Sequence, residues 1–140
     1  MKLFLDSSAF AKRFIEEPGS RAVEDLCRRA DDLGLSVICV PEIVSALNRR
    51  LREKSITRQD YLRARRRLAL EVEDAMIVQL TPEVVRFSLE LLEDSPLRTM
   101  DALQVASALA WEADLFCSAD SRQISASRRA GLTTRRIPLE

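Results

Sequence analysis

Four acidic residues, Asp6, Glu42, Asp101 and Asp120, stand where carboxylates can do chemistry, and the chain contains no histidine to share the work. Histidine is the usual general acid or base near neutral pH. Its absence excludes a Ser-His-Asp triad, a Cys-His pair, a histidine-based ribonuclease and a histidine-bearing zinc site. Only Gly19, Gly34 and Gly131 are available as glycines, and none sits in the G-x-x-x-x-G-K pattern that cradles phosphate. Whatever chemistry the chain performs must therefore use carboxylates. Taken singly, each acid is equally well explained by helix capping, worth about 1 kcal/mol. The set is harder to explain that way, because two carboxylates about 5 Å apart repel by roughly 3 kcal/mol at an effective dielectric of about 20. A cluster of four calls for a cation, and oxygen-only ligands select a hard ion, Mg2+ or Mn2+, over zinc.

These acids are far apart in sequence, so the elements around them must bring them together. Lys2 to Leu5 reads as a short strand ending at Asp6, with Ser7 or Ser8 capping a helix that runs towards Glu17. Pro18 and Gly19 break it. A second helix covers about Ser20 to Asp32, with Ala22, Val23, Leu26, Cys27 and Ala30 along one side, and Gly34 closes it. Leu35 to Val40 is apolar on both faces, the pattern of a buried parallel strand, and Pro41 ends it in the first turn of the next helix, where Glu42 stands. That helix and another over about Thr57 to Glu73 form a helical arm. Met76 to Leu80 reads as a strand, and Thr81, Pro82 and Glu83 start a helix to about Asp94. The stretch Asp101 to Trp111 is apolar almost all round, as in a central helix, with Asp101 its only charge. Asp114 to Cys117 reads as a strand leading through Ser118 to Asp120, followed by a helix over Ser121 to Arg129, Gly131 as terminator and a last strand near Ile137. Alternating strands and helices imply an α/β fold, a short parallel sheet flanked by helices on both faces. In such sheets ligands bind at the edge formed by the carboxyl ends of the strands. Asp6, Glu42 and Asp120 each follow a strand immediately or within about two residues, and Asp101 joins them from the start of the central helix.

The 140 residues, 46% of them hydrophobic, suffice for one packed domain over 1–140. Basic and acidic residues balance at 22 each, so polyanion binding must come from local clustering. Such clustering exists: between Arg49 and Arg67 there are nine basic residues against Glu53 and Asp60 alone. Phosphate is the natural partner, although long arginine stems also cover apolar surface and form pairs along a helix. Leu3 to Leu5 is far short of a signal-peptide core and no later run approaches a membrane span, so a cytoplasmic location without membrane contact is expected. Cys27, Cys39 and Cys117 are odd in number, widely spaced and set among apolar neighbours, as expected of reduced packing residues. Tyr61 and Trp111 are expected in packing or at an interface, because the aromatics are too few for a stacking platform.

Leu5-Asp6-Ser7-Ser8, Pro41-Glu42-Ile43, Leu97-Arg98-Thr99-Met100-Asp101-Ala102-Leu103 and Ser118-Ala119-Asp120 resemble, in order and spacing, the acidic motifs of PIN-domain nucleases. The resemblance covers essentially the whole chain, whose length and form are similar to the VapC toxins of toxin–antitoxin pairs. It implies a PIN-like three-layer sandwich, Mg2+- or Mn2+-dependent endoribonuclease activity on RNA, a homodimer and inhibition by a cognate antitoxin protein. Carried over by position, it makes Asp6, Glu42, Asp101 and Asp120 the catalytic and metal-holding acids, with Ser118 supporting them by hydrogen bonding. One departure is visible: many members carry histidine after the Asp-Ala-Leu triplet, where this chain has Gln104.

The mechanism so implied is hydrolysis of a phosphodiester by metal-activated water, with Asp6, Asp101 and Asp120 as ligands. Glu42 is a ligand, an outer-sphere anchor or the group that orients the water. Lys12, Arg13, Arg98 and Arg122, near the acidic motifs in sequence, are candidates for holding the scissile strand. Two other classes compete. One is a noncatalytic PIN-fold module that binds protein or RNA. The other is an aspartyl phosphatase or receiver-like domain, against which stand the missing second acid after Asp6 and the missing late strand-end lysine before Pro138.

Overall fold

The computed structural model describes residues 1–138. Its strands are β1 (Lys2–Leu5), β2 (Asp32–Ser36), β3 (Met76–Val78), β4 (Leu115–Ser118) and β5 (Thr134–Arg136). Its helices are α1 (Ser7–Phe10), continued by a 3-10 turn over Ala11–Arg13, then α2 (Ser20–Arg29), α3 (Cys39–Arg52), α4 (Arg58–Glu73), α5 (Pro82–Asp94), α6 (Thr99–Trp111) and α7 (Ser121–Arg129). The strands form one parallel sheet in the order β3-β2-β1-β4-β5.

Alternation along β1 builds the expected three layers. Leu3 and Leu5 face a cluster made with Phe10, Val23, Leu26, Ile43, Leu47 and Leu68, drawn from α1 to α4. Phe4 faces the other way, stacked on Phe116 at 5.9 Å between ring centroids, in a cluster with Val84, Leu91, Val105 and Ile124 from α5 to α7. Successive side chains of a strand point to opposite faces, so three consecutive apolar residues in the central strand feed two cores at once. The cysteines are free, and burial pushes the Cys39 and Cys117 thiols up to about 12, as expected of packing residues. No helix among the described residues is long and apolar enough to cross a membrane.

Several local boundaries differ from the pattern-based expectation. The first helix does not run to Glu17: after Phe10 it tightens into the 3-10 turn, and its cap is Asp6, whose side chain accepts from the Ala9 amide, not Ser7 or Ser8. The run Leu35 to Val40 is not one strand. The register pairs Lys2 with Asp32 and Phe4 with Gly34, so the strand occupies Asp32–Ser36 and the β-branched residues beyond it turn into α3, which begins at Cys39. Gly34 therefore lies inside a strand and closes no helix. Its function is steric, since a Cβ there would lie 2.6 Å from the Trp111 ring, which is itself packed on Phe4. Tyr61 packs within the arm, its hydroxyl accepting from the Asn48 side chain at 3.0 Å, whereas Leu62 and Ala69 on the same helix are exposed.

Trp111 has to move off both strands to admit a methyl group at Gly34. Gly34→Ala is expected to destabilise the protein by about 1–3 kcal/mol in urea unfolding. A change within error would show that the close approach is not needed.

Candidate active site

Asp6 follows the central strand, and its amide extends the ladder to β4 by donating to the Cys117 carbonyl at 3.2 Å. Its carboxylate is only 1% exposed and accepts from the Ser118 hydroxyl at 2.6 Å, the Ala9 amide at 2.9 Å and the Ser8 hydroxyl at 2.8 and 2.9 Å. Burial pushes the carboxyl up from 3.8 to about 6 against the pull of Ser118, Ala9 and Ser8, and the nearby charge of Asp120 pushes in the same direction as burial. Ser118, at the end of β4, also accepts from the Asp120 amide at 2.9 Å, so one buried hydroxyl fixes two acids relative to each other. Ser8 does similar work, accepting from the Ala119 amide at 3.0 Å. Asp120 caps α7 by accepting from the Arg122 amide at 2.9 Å.

Glu42 lies in the first turn of α3. Its Oε1 accepts from the Ser7 hydroxyl at 2.6 Å and from Nε2 of Gln104 at 2.8 Å. Asp101 lies in the first turn of α6, accepting from Nε2 of Gln123 at 3.1 Å and from the Arg98 amide at 3.4 Å. Two acids thus cap helices and two occupy first turns, all positions where the helix dipole favours negative charge.

All four acids line one cleft of about 630 Å³, together with Ser7, Ser8, Arg49, Met100 and Gln123. Among the described residues none of the four takes part in a salt bridge, whereas Glu17, Glu24 and Glu71 each pair with basic side chains. Each acid in the cleft instead meets hydroxyls, amides or backbone N–H groups, which donate hydrogen bonds without cancelling charge. Among the described residues no three acids or cysteines converge into a ready-made cage for an ion. An all-oxygen cleft of this kind suits Mg2+ or Mn2+, because Mg2+ is held by one or two carboxylates and keeps several waters. The buried, cation-free Asp6 fits the same ion, since a positive charge nearby would restore its ionised form.

The basic residues singled out from the sequence are placed differently. The Lys12 ammonium is buried and bonded to Glu17 at 3.1 Å, and Arg13 pairs with Glu24 at 3.3 Å and Glu71 at 2.9 Å, so neither charge is delivered to the acids. Arg98 and Arg122 are exposed beside Asp101 and Asp120. Arg49, one of the clustered arginines but not singled out from the sequence, lines the cleft. It sits seven residues after Glu42 on the same helix face and pairs with no acid among the described residues, while its neighbour Arg50 is held by Glu17 at 2.8 Å. The spacing from Glu42 was a usable signal. Ser7 and Ser8 stand in the first acidic motif, but their bonds to Glu42 and to the Ala119 amide, like that of Gln123 to Asp101, are contacts across the fold that the sequence does not show.

The PIN domain family model matches residues 3–129. Solved structures with this fold include VapBC2 from Rickettsia felis bound to a DNA fragment from their promoter, at 15% identity, with 97% of this chain and 98% of that chain covered and a TM-score of 0.68. VapC20 from Mycobacterium tuberculosis, described as a sarcin-ricin loop cleaving toxin, shares 16% identity over 94% of this chain and 96% of its own, with a TM-score of 0.68. DNA-bound VapBC from Salmonella typhimurium shares 12% identity over 99% of each chain, with a TM-score of 0.71. At such identities the likeness is one of fold. No curated protein matches the chain.

The raised Asp6 value has a measurable consequence. Between about pH 4 and 6 the folded protein holds a proton that the unfolded chain has released, so this group's contribution to stability falls as pH rises through that window, by roughly 3 kcal/mol in all. Urea unfolding in chelator should show Asp6→Asn gaining stability relative to the unsubstituted protein on going from about pH 4 to about pH 7.5. A constant difference across that range would mean that Asp6 is not held uncompensated.

Proposed function

We propose that this chain, which belongs to the PIN domain family, is a Mg2+- or Mn2+-dependent endoribonuclease and the toxin component of a toxin–antitoxin pair. The observation that carries this reading is the lining of one cleft by Asp6, Glu42, Asp101 and Asp120, all without a cationic partner among the described residues. A bound divalent ion supplies charge for the phosphoryl and leaving oxygens and lowers the pKa of water. Asp6, Asp101 and Asp120 would hold the ion. Glu42, fixed by Ser7 and Gln104, completes the acidic wall, and Ser118 keeps Asp6 and Asp120 in register. Arg49, which lines the cleft, and the exposed Arg98 and Arg122, next in the chain to the Asp101 and Asp120 segments, would hold the RNA backbone. With no histidine to activate a ribose 2′-hydroxyl, hydrolysis by water leaves 5′-phosphate and 3′-hydroxyl ends.

A solved structure with this fold is described as a toxin-antitoxin complex from Klebsiella pneumoniae, which supports a cognate antitoxin as the protein partner of this chain. A single domain over 1–140, a homodimer and a cytoplasmic site of action belong to the same proposal. Val85 and Leu89, exposed one turn apart on α5, are apolar positions a second copy could cover.

Purified protein should cut end-labelled structured RNA with Mg2+ or Mn2+ and not with chelator, and Asp6→Asn and Asp101→Asn should each lower the rate by about 100-fold or more. Cutting that persists in both variants would overturn the carboxylate site. A 2′,3′-cyclic phosphate end would overturn hydrolysis by water. Separately, Arg49→Ala should raise KM several-fold with little change in kcat and reduce the salt dependence of binding by about one counterion. An unchanged KM would remove Arg49 from the RNA path.

A further inference from the structure

Two glutamines adjoin the acidic cleft under unusual terms. Gln104 and Gln123 are 1% and 5% exposed, and each turns its amide nitrogen to a site carboxylate. Nε2 of Gln104 donates to Glu42 Oε1 and to the Ser7 hydroxyl, both at 2.8 Å, and Nε2 of Gln123 donates to Asp101 Oδ1 at 3.1 Å. In both, the carbonyl oxygen Oε1 is buried with no hydrogen-bond partner among the described residues. Turning the amide over would set a carbonyl against a carboxylate, so the acid dictates the orientation and the orphaned oxygen is its consequence. A methionine of similar volume would fill either space without that cost. A lysine or arginine would satisfy the acid but neutralise it, as happens at Glu17, Glu24 and Glu71.

The two amides also link three helices. Gln104 reaches from α6 to Glu42 on α3, and Gln123 reaches from α7 back to Asp101 on α6. The relative placement of two of the acids therefore passes through uncharged donors on neighbouring helices.

We infer that Gln104 and Gln123 are positioning residues that orient Glu42 and Asp101 at the cleft for a divalent cation while leaving their negative charge intact. The inference rests on the metal-dependent reading above. Partners that orient ligand carboxylates typically change metal affinity by about 10–100-fold when removed.

The test is Mn2+ titration of the full chain by calorimetry, with thermal melts in chelator alongside, for the unsubstituted protein, Gln104→Met and Gln123→Met. Each substitution should weaken Mn2+ binding by about 10-fold or more, while the metal-free melting temperature stays the same or rises because the orphaned carbonyl is gone. A role confined to packing gives the opposite result, unchanged Mn2+ affinity with a lower melting temperature, and overturns the inference. If Gln104→Met does not fold, Gln123→Met decides by the same two readings. No Mn2+ binding by the unsubstituted protein overturns the metal-dependent reading and this inference with it, an outcome distinct from equal binding by protein and variants.

Discussion

Burial of the Asp6 carboxylate at the end of the central strand is the constraint around which the rest is arranged. An ionised group taken out of water is costly unless hydrogen-bonded or paired, and among the described residues Asp6 receives only neutral donors: Ser118 from β4, and Ser8 and the Ala9 amide from α1. For those donors to meet it, β4 must lie beside β1 with Leu5 opposite Cys117, and the chain must turn into α1 immediately after Asp6. The pairing that builds the core is the pairing that builds the site. Even so, the carboxyl remains near 6, so the donors do not fully offset the desolvation.

Topology explains why the cleft opens there. From β1 the chain adds β2 and β3 on one side, then crosses to add β4 and β5 on the other. Connections leaving β1 and β4 diverge at that reversal, which is where open parallel sheets form a crevice. Helix N-termini surround it, and each dipole contributes about 0.3–1 kcal/mol to an anion near the surface. Carboxylates brought within about 5 Å of one another would repel several-fold more strongly, so dipoles alone would not hold them that close. In the proposed reading, the cation supplies the remainder.

The acids were legible because their positions follow from rules that are local in sequence. Asp6 and Asp120 lie just past short apolar strands, and Glu42 and Asp101 lie in first helical turns. What was hidden depends on pairing or on contacts distant in sequence. Val37 to Val40 has strand composition, but the register of β1 against β2 assigns the ladder to residues 32–36 and turns the next residues into a helix. Gly34 looks like a helix stop until the Trp111 ring is seen lying over it. Lys12 and Arg13 look free because Glu24 and Glu71, which take up Arg13, come from α2 and α4, and Glu17 turns back onto Lys12. Gln104 was visible as a departure from the family pattern, but its hydrogen bonds to Ser7 and Glu42 were not.

A chain with zero formal net charge has a cleft whose acids pair with no cation among the described residues because its positive charge is distributed selectively. Ion pairs gather Lys12, Arg13, Arg50 and Arg67 around Glu17, Glu24 and Glu71, away from the site acids. Arg49, Arg52, Lys54, Arg58, Arg65 and Arg66, on and between α3 and α4, pair with no acid among the described residues. An acidic cleft is therefore contiguous, through Arg49, with a basic arm. In the proposed reading a polyanion attracted to the arm would be drawn towards the acids only where a cation reverses their sign. Substrate capture and catalysis would then depend on the same ion: without it the cleft repels phosphate, and with it the arm and the cleft attract the same strand.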